Sequence, residues 1–356
     1  MRGYIRFLGI WLAIAGWPLL ATPASACADP GVDPSPAAAA DLYFVTSRRA
    51  DCTGNLPAVY GRRRGEMISF GYAAGAARPR LAQQAWLDRV RAQLPEAGGR
   101  VLVYVHGYNN DFDAALDRAQ RVRALSRFEG PVIAFSWPSQ ARTTLYTWDE
   151  ENALWTQPYF DALVQGLLRE PRVSEVVIVG HSMGNRIVLR SLLEMERLEP
   201  DLSARKIRNL ILAAPDVDRD IFERDYLEML GRGERRTTLY VSRDDRALRT
   251  SWMVHGEVRA GDSGCVQTYL QTRASPRCYT ASLPAPPDVP PLHVFVVETS
   301  LVRGGFTGHA DFVDSPVVRN DLCRVLNGLP TEREPAGEGR DNVFLLRPIQ
   351  PGPCPR

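Results

Sequence analysis

Three kinds of residue, far apart in the chain, could together carry out acyl transfer. Ser182 lies in Gly180-His181-Ser182-Met183-Gly184, a G-x-S-x-G spacing. A serine hydroxyl is a weak nucleophile; it needs a base to take its proton and an acid to orient that base. Five histidines are candidates for the base, namely His106, His181, His255, His293 and His309. His181 adjoins Ser182, so its side chain should point away from the nucleophile. His106 closes an apolar run and reads as structural, and His293 falls inside another. His255 precedes the last strand-like run. His309, in Gly-Phe-Thr-Gly-His-Ala-Asp-Phe, follows it and fits the order serine, acid, histidine. For the acid, Asp245 in Ser-Arg-Asp-Asp-Arg-Ala-Leu follows a strand-like run, with Leu248 three positions on. Asp244 is an alternative, as are Asp216 and Asp218 in Ala-Pro-Asp-Val-Asp. Two backbone N–H groups should receive the negative oxygen of a tetrahedral intermediate. Met183, just after the nucleophile, would supply one; Tyr108, after Gly107 in Val-His-Gly-Tyr-Asn-Asn, would supply the other.

These side chains work only if the chain turns sharply at Ser182. Glu175 to Val179 (EVVIV) predicts a strand and Asn185 to Leu198 a helix, so the serine falls at a strand-to-helix bend. Other predicted strands are Leu42–Thr46, Met67–Tyr72, Arg100–Val105, Pro131–Trp137, Ile207–Ala213, Thr237–Val241 and Leu292–Glu298. Helices are expected over Asp113–Leu125, Asp149–Leu168, Arg219–Leu230 and Ser315–Leu326. Alternation of strands with amphipathic helices predicts an α/β fold whose mostly parallel central sheet has helices on both faces. Gly261–Pro291 breaks the rhythm and reads as an excursion over the surface, bracketing Cys265 and Cys278. The aromatic residues Trp137, Tyr146, Trp148 and Trp155 read as core, with an acyl pocket as the other possibility.

Taken together, Tyr-Val-His-Gly-Tyr-Asn-Asn-Asp-Phe-Asp-Ala-Ala-Leu, Phe-Ser-Trp-Pro-Ser, Gly-His-Ser-Met-Gly-Asn, Ala-Pro-Asp-Val-Asp, Ser-Arg-Asp-Asp-Arg-Ala-Leu and Gly-His-Ala-Asp-Phe followed by Ser-Pro resemble a bacterial family of α/β-hydrolases of unknown function, related to esterases and lipases. The resemblance spans Leu42 to Leu326. It implies an α/β-hydrolase fold and hydrolysis, with Ser182 as nucleophile, Asp245 as acid and His309 as base, and leaves the substrate open.

The first residues, with Arg2 and Arg6 before an apolar run from Phe7 to Leu20, read as a signal peptide over 1–26. Cleavage would follow Ala26 or Ala28; lipid attachment at Cys27 is an alternative. A Pro/Ala-rich linker over 27–40, a hydrolase domain over 41–328 and a tail over 329–356 complete the expected plan. No later segment is apolar enough to span a bilayer. The formal charge is +2 and Arg2 and Arg6 account for it, so nothing in the charge balance attracts nucleic acid. Six cysteines in an exported chain suggest disulfides, for which Cys265–Cys278, Cys323–Cys354 and Cys27–Cys52 are the expected pairs. No C-x-x-C, H-E-x-x-H, phosphate loop or dinucleotide fingerprint is present, so no metal or organic cofactor is expected. The reading is an exported serine hydrolase acting on a small-molecule or lipid ester or thioester, periplasmic or secreted. An amidase or acyltransferase with the same triad, and a binding protein that keeps the fold without activity, are the alternatives.

Overall fold

A computed structural model describes residues 42–51, 59–75, 77–231, 234–263, 293–302, 304–305, 308–336, 342–348 and 354. The expected signal peptide and linker, Cys27, Cys52, Cys265, Cys278 and most of the expected surface excursion lie outside the described residues. The chain opens with β1 (Leu42–Asp51), β2 (Val59–Ala73), β3 (Arg80–Leu81) and α1 (Gln83–Gln93). It then alternates through β4 (Arg100–Val105), α2 (Phe112–Ser126), β5 (Val132–Ser136), α3 (Tyr146–Arg169), β6 (Glu175–His181) and α4 (Gly184–Leu198). Next come α5 (Pro200–Lys206), β7 (Asn209–Ala213), α6 (Arg219–Ile221), a π-helical turn at Phe222–Tyr226, α7 (Leu227–Leu230), β8 (Arg236–Val241) and α8 (Arg246–His255). Strand β9 (Val294–Glu298), α9 (Asp311–Asp314), α10 (Pro316–Leu326), β10 (Glu334–Pro335) and β11 (Val343–Leu345) finish the order.

The strands form one sheet in the order β10-β11-β9-β8-β7-β6-β4-β5-β1-β2-β3. From β11 to β1 every neighbouring pair is parallel; the antiparallel pairs lie at the edges, β1–β2, β2–β3 and β10–β11. A parallel sheet must be covered on both faces, which is why β4 (RVLVYV), β6 and β7 are apolar in consecutive positions rather than alternate ones. Val101, Val103, Ile178, Leu210 and Leu212 pack on one face against α1, α3 and α4, with Trp86, Phe160 and Ile187. Leu102, Tyr104, Val177, Val179 and Ile211 pack on the other against α2 and α10, with Leu116 and Leu322.

The predicted mid-sheet strands and long helices are present, with bounds shifted by a few residues. At the edge, β1 and β2 run much further than Leu42–Thr46 and Met67–Tyr72. Their added length is polar and arginine-rich (Arg48, Arg49, Arg62 to Arg64) and carries no apolar run to announce it. Helices α1, α5 and α8, and strands β10 and β11, are not expected from the pattern. His293 precedes β9 instead of lying within it, and His255 is the last residue of α8 rather than in a loop. The Cys323–Cys354 disulfide joins α10 to the end of the chain, with a Cα–Cα distance of 6.2 Å. No helix among the described residues is long and apolar enough to cross a membrane.

Candidate active site

Strand β6 delivers Ser182 to the carboxyl edge of the sheet, and α4 begins two residues later. Ser182 adopts a left-handed backbone, φ 51°, a region that costs a non-glycine residue about 1–2 kcal/mol. Local bonds hold it there. Its N–H donates to Ala213 O at 2.9 Å, and its carbonyl accepts from Asn185 N at 3.0 Å and from Asn185 Nδ2 at 3.1 Å. The bend has no room beside it. A Cβ on Gly184 would lie 2.4 Å from His106 O, one on Gly180 2.3 Å from Asn185 Oδ1, and one on Gly107 2.8 Å from Ser182 Cβ. The glycines of the motif are therefore required by close approach, and the strain is of the kind stored at functional turns.

The loop after β9 brings His309 to α8. His309 Nδ1 lies 2.7 Å from Asp245 Oδ2; the carboxylate side chain is fully buried, whereas the ring keeps 16 % exposure. The other oxygen of Asp245 accepts from the N–H groups of Ala247 at 2.9 Å and Leu248 at 3.0 Å, capping α8. Thus one aspartate starts a helix and orients a histidine. Burial disfavours a charge on His309, but Asp245, and more weakly Asp216, outweigh it and raise its pKa. With Nδ1–H given to the carboxylate, Nε2 is left as the basic atom.

The rival carboxylates stand elsewhere. Asp244 faces Arg249 at 3.9 Å. Asp218 caps α6 by accepting from Ile221 N at 3.0 Å. Asp216 is buried beside the elbow, where its N–H donates to Ser182 O at 3.3 Å. Its carboxylate accepts from Tyr146 Oη and, at 2.7 Å, from Ser251 Oγ. Among these aspartates, Asp245 is the one bonded to His309. His255, the other candidate base, is bonded to Glu150 at 2.7 Å and to Ser251 O at 2.9 Å.

His181 is bonded to the His309 loop: its Nε2 reaches His309 O at 3.1 Å, and its ring packs 4.9 Å from that of His309 and 4.8 Å from Phe312. Burial, then the neighbouring His309, lowers its pKa well below the ordinary value. A neutral ring is the form that donates through Nε2 and leaves Nδ1 without a proton. His106 is structural, as expected. Its Nε2 accepts from Trp137 N at 3.0 Å, its ring stacks 4.9 Å from that of Trp137, and burial pushes its pKa down to about 3.

The two expected oxyanion donors flank the elbow. Met183 is fully buried at the start of α4, and Tyr108 follows Gly107, whose Cα sits against Ser182. Neither backbone N–H finds an acceptor among the described residues. Of the aromatic residues singled out in the sequence, Trp137 is core, whereas Tyr146 packs edge-on to Tyr108 at 5.2 Å and Trp148 is exposed. Arg186, which like Tyr146 reaches Asp216, carries no signal in the pattern. No group of three or more metal-binding side chains occurs among the described residues.

No curated protein matches the chain. A predicted CIB-like hydrolase from Thermoplasma acidophilum, solved by crystallography, is similar to it with 14 % identity and a TM-score of 0.33, over 73 % of this chain and 93 % of that one. A family model covers residues 80–324, from β3 into α10 and through every residue of the elbow and the Asp245–His309 pair. The chain belongs to that family, described as alpha/beta hydrolase of unknown function (DUF900).

Proposed function

We propose that the protein is an exported serine hydrolase that cleaves an ester or thioester through an acyl-enzyme on Ser182. The observation that carries this reading is the 2.7 Å bond between His309 and buried Asp245, in a loop packed against the histidine next to Ser182. In the reaction, Ser182 Oγ attacks the acyl carbonyl and His309 Nε2 takes its proton. The carbonyl oxygen becomes negative and is received by the N–H groups of Tyr108 and Met183, with the N-terminus of α4 behind it. Collapse expels the alcohol or thiol, which leaves with the proton from His309. Water, activated by the same histidine, then releases the acid and restores Ser182. Asp245 holds the ring in place and stabilises the imidazolium. The Tyr108–Tyr146 pair offers an apolar wall for a small or medium acyl group. The Cys323–Cys354 disulfide supports an oxidising compartment and hence export.

The test is hydrolysis of p-nitrophenyl esters from acetate to palmitate by the parent, Ser182→Ala and His309→Ala. Loss of turnover in both variants supports the assignment, and the preferred chain length gives the substrate class. A Ser182→Ala variant as active as its parent contradicts it.

A further inference from the structure

The loop that would supply the Tyr108 donor rests on two buried charges that do not pair with each other. Arg48, on β1, is fully buried. Its guanidinium makes four hydrogen bonds, all to uncharged acceptors: Nε to Ser136 Oγ at 2.8 Å, Nη1 to Gly61 O and Ser139 O at 3.2 Å each, and Nη2 to Asn110 O at 2.9 Å. Burial pushes its pKa down to about 9, against the pull of Asp111 and Asp149. Asp149, in the first turn of α3, is also fully buried. Its carboxylate accepts from Ser139 Oγ at 2.5 Å and from Gln140 N at 2.8 Å, and the backbone N–H of Asn109 helps to stabilise its charge. Burial raises its pKa and these bonds lower it. Ser139 Oγ also accepts from Asn110 N at 3.2 Å, linking the two charges.

The bonds converge on one short stretch of main chain. Asn110 N–H and Asn110 C=O are held by Ser139 and Arg48, and Ser139 is in turn fixed by Asp149. Asn110 Nδ2 ties down Gly107 O at 3.1 Å and Tyr108 O at 2.8 Å. Asn109 is thereby kept in the left-handed region, φ 60°. Main-chain groups on both sides of the Tyr108 N–H are fixed, while that N–H has no acceptor among the described residues. Burying two charges without pairing them directly is costly, and an uncharged core would fill the space at a lower cost. A preorganised oxyanion donor, by contrast, is useful only if its position is set before the charge develops.

We infer that Arg48, Ser139 and Asp149 are positioning residues that fix the backbone at Tyr108 and so set the second oxyanion donor. This rests on the reading of Ser182 as nucleophile. The test compares Asp149→Asn, Ser139→Ala and Arg48→Lys with Arg235→Lys. Arg235 is equally buried, but at the opposite end of the sheet, where it bonds Ile207 O, Met229 O and Glu196. Measured for each are Tm, kcat and KM on a p-nitrophenyl ester, the pH profile, and the rate of fluorophosphonate labelling of Ser182. In the folded variants of the loop, kcat and the labelling rate should fall about 10²-fold with KM nearly unchanged. The apparent pKa of the His309 limb should not move. Arg235→Lys should lower Tm and leave kcat within about twofold. Ser139→Ala, which removes one hydroxyl, keeps the test open if the charged variants fail to fold. Parent-like kcat in folded loop variants, or an equal loss of kcat in Arg235→Lys, overturns the inference. A parent that is neither active nor labelled at Ser182 overturns the nucleophile reading and this inference with it.

Discussion

His309 is held between two opposing influences, and the balance fixes how activity should depend on pH. Burial favours the neutral ring; the Asp245 carboxylate favours the cation, and the carboxylate prevails. A base must be neutral to take the serine proton, so kcat/KM should rise with pH through an apparent pKa above the ordinary histidine value of 6.5. In Asp245→Asn the carboxylate is gone and burial remains, so the limb should move to lower pH while kcat falls about 10⁴-fold. A pH–rate profile of both proteins checks this; an unmoved limb with parent-like kcat would shift the acid to a neighbour such as Asp216, whose N–H bonds Ser182 O. At this scale the sequence is informative for the groups proposed to react. Ser182, Asp245 and His309 each carry a local mark: glycines around the serine, a strand before the acid, a loop after the last strand for the base. Arg48 and Asp149 carry none. Their importance comes from burial and from partners 9 to 91 positions away, which no local pattern encodes.

The elbow succeeds as an element because three main-chain segments approach one another without side chains between them. Gly184→Ala would drive a Cβ into the carbonyls of His106 and Val105, 2.4 and 2.8 Å away, both of them backbone that cannot swing aside. It should cost about 1–3 kcal/mol or more from overpacking and depress kcat together with Tm, since β4 carries the loop of the oxyanion donor. Gly98→Ala is the contrast. Its φ of 61° is unfavourable, but nothing lies within 4 Å of the added carbon, so about 1–2 kcal/mol of backbone strain and an unchanged kcat are expected. Thermal melts and ester turnover on the two variants separate a clash at the elbow from strain alone. Element boundaries are legible where burial on both faces makes a strand continuously apolar, as in β4, β6 and β7. They are not legible for the outer halves of β1 and β2, where backbone pairing continues through arginines. Nor are they for α8, whose N-terminus is set by Asp245: the proposed acid and the cap of the helix are the same residue.

In the whole molecule, the proposed site draws Tyr108, Ser182, Asp245 and His309 from four different turns of the chain. Stability is supplied elsewhere. The Cys323–Cys354 bond closes a separation of 31 residues between α10 and the chain end, which by loop entropy stabilises the fold by about 3–4 kcal/mol. Replacing both cysteines by serine should lower the unfolding free energy by that amount and leave kcat unchanged; a loss of kcat at full stability would mean that the tail touches the site. The Cys323–Cys354 bond is one of the three expected pairs, although the cysteine count alone leaves the connectivity open. The addition of β10 and β11 to the sheet is not expected from the sequence, because strands of two and three residues leave no periodicity to read. The central claim, that Ser182 is the nucleophile of a buried Asp245–His309 pair, is tested most directly by fluorophosphonate labelling followed by peptide mass mapping of the parent, Ser182→Ala and His309→Ala. A nucleophilic Ser182 should give one adduct, on the peptide carrying Ser182, absent from Ser182→Ala and formed far more slowly in His309→Ala. An unlabelled parent, or an adduct that persists when Ser182 is replaced, would contradict it.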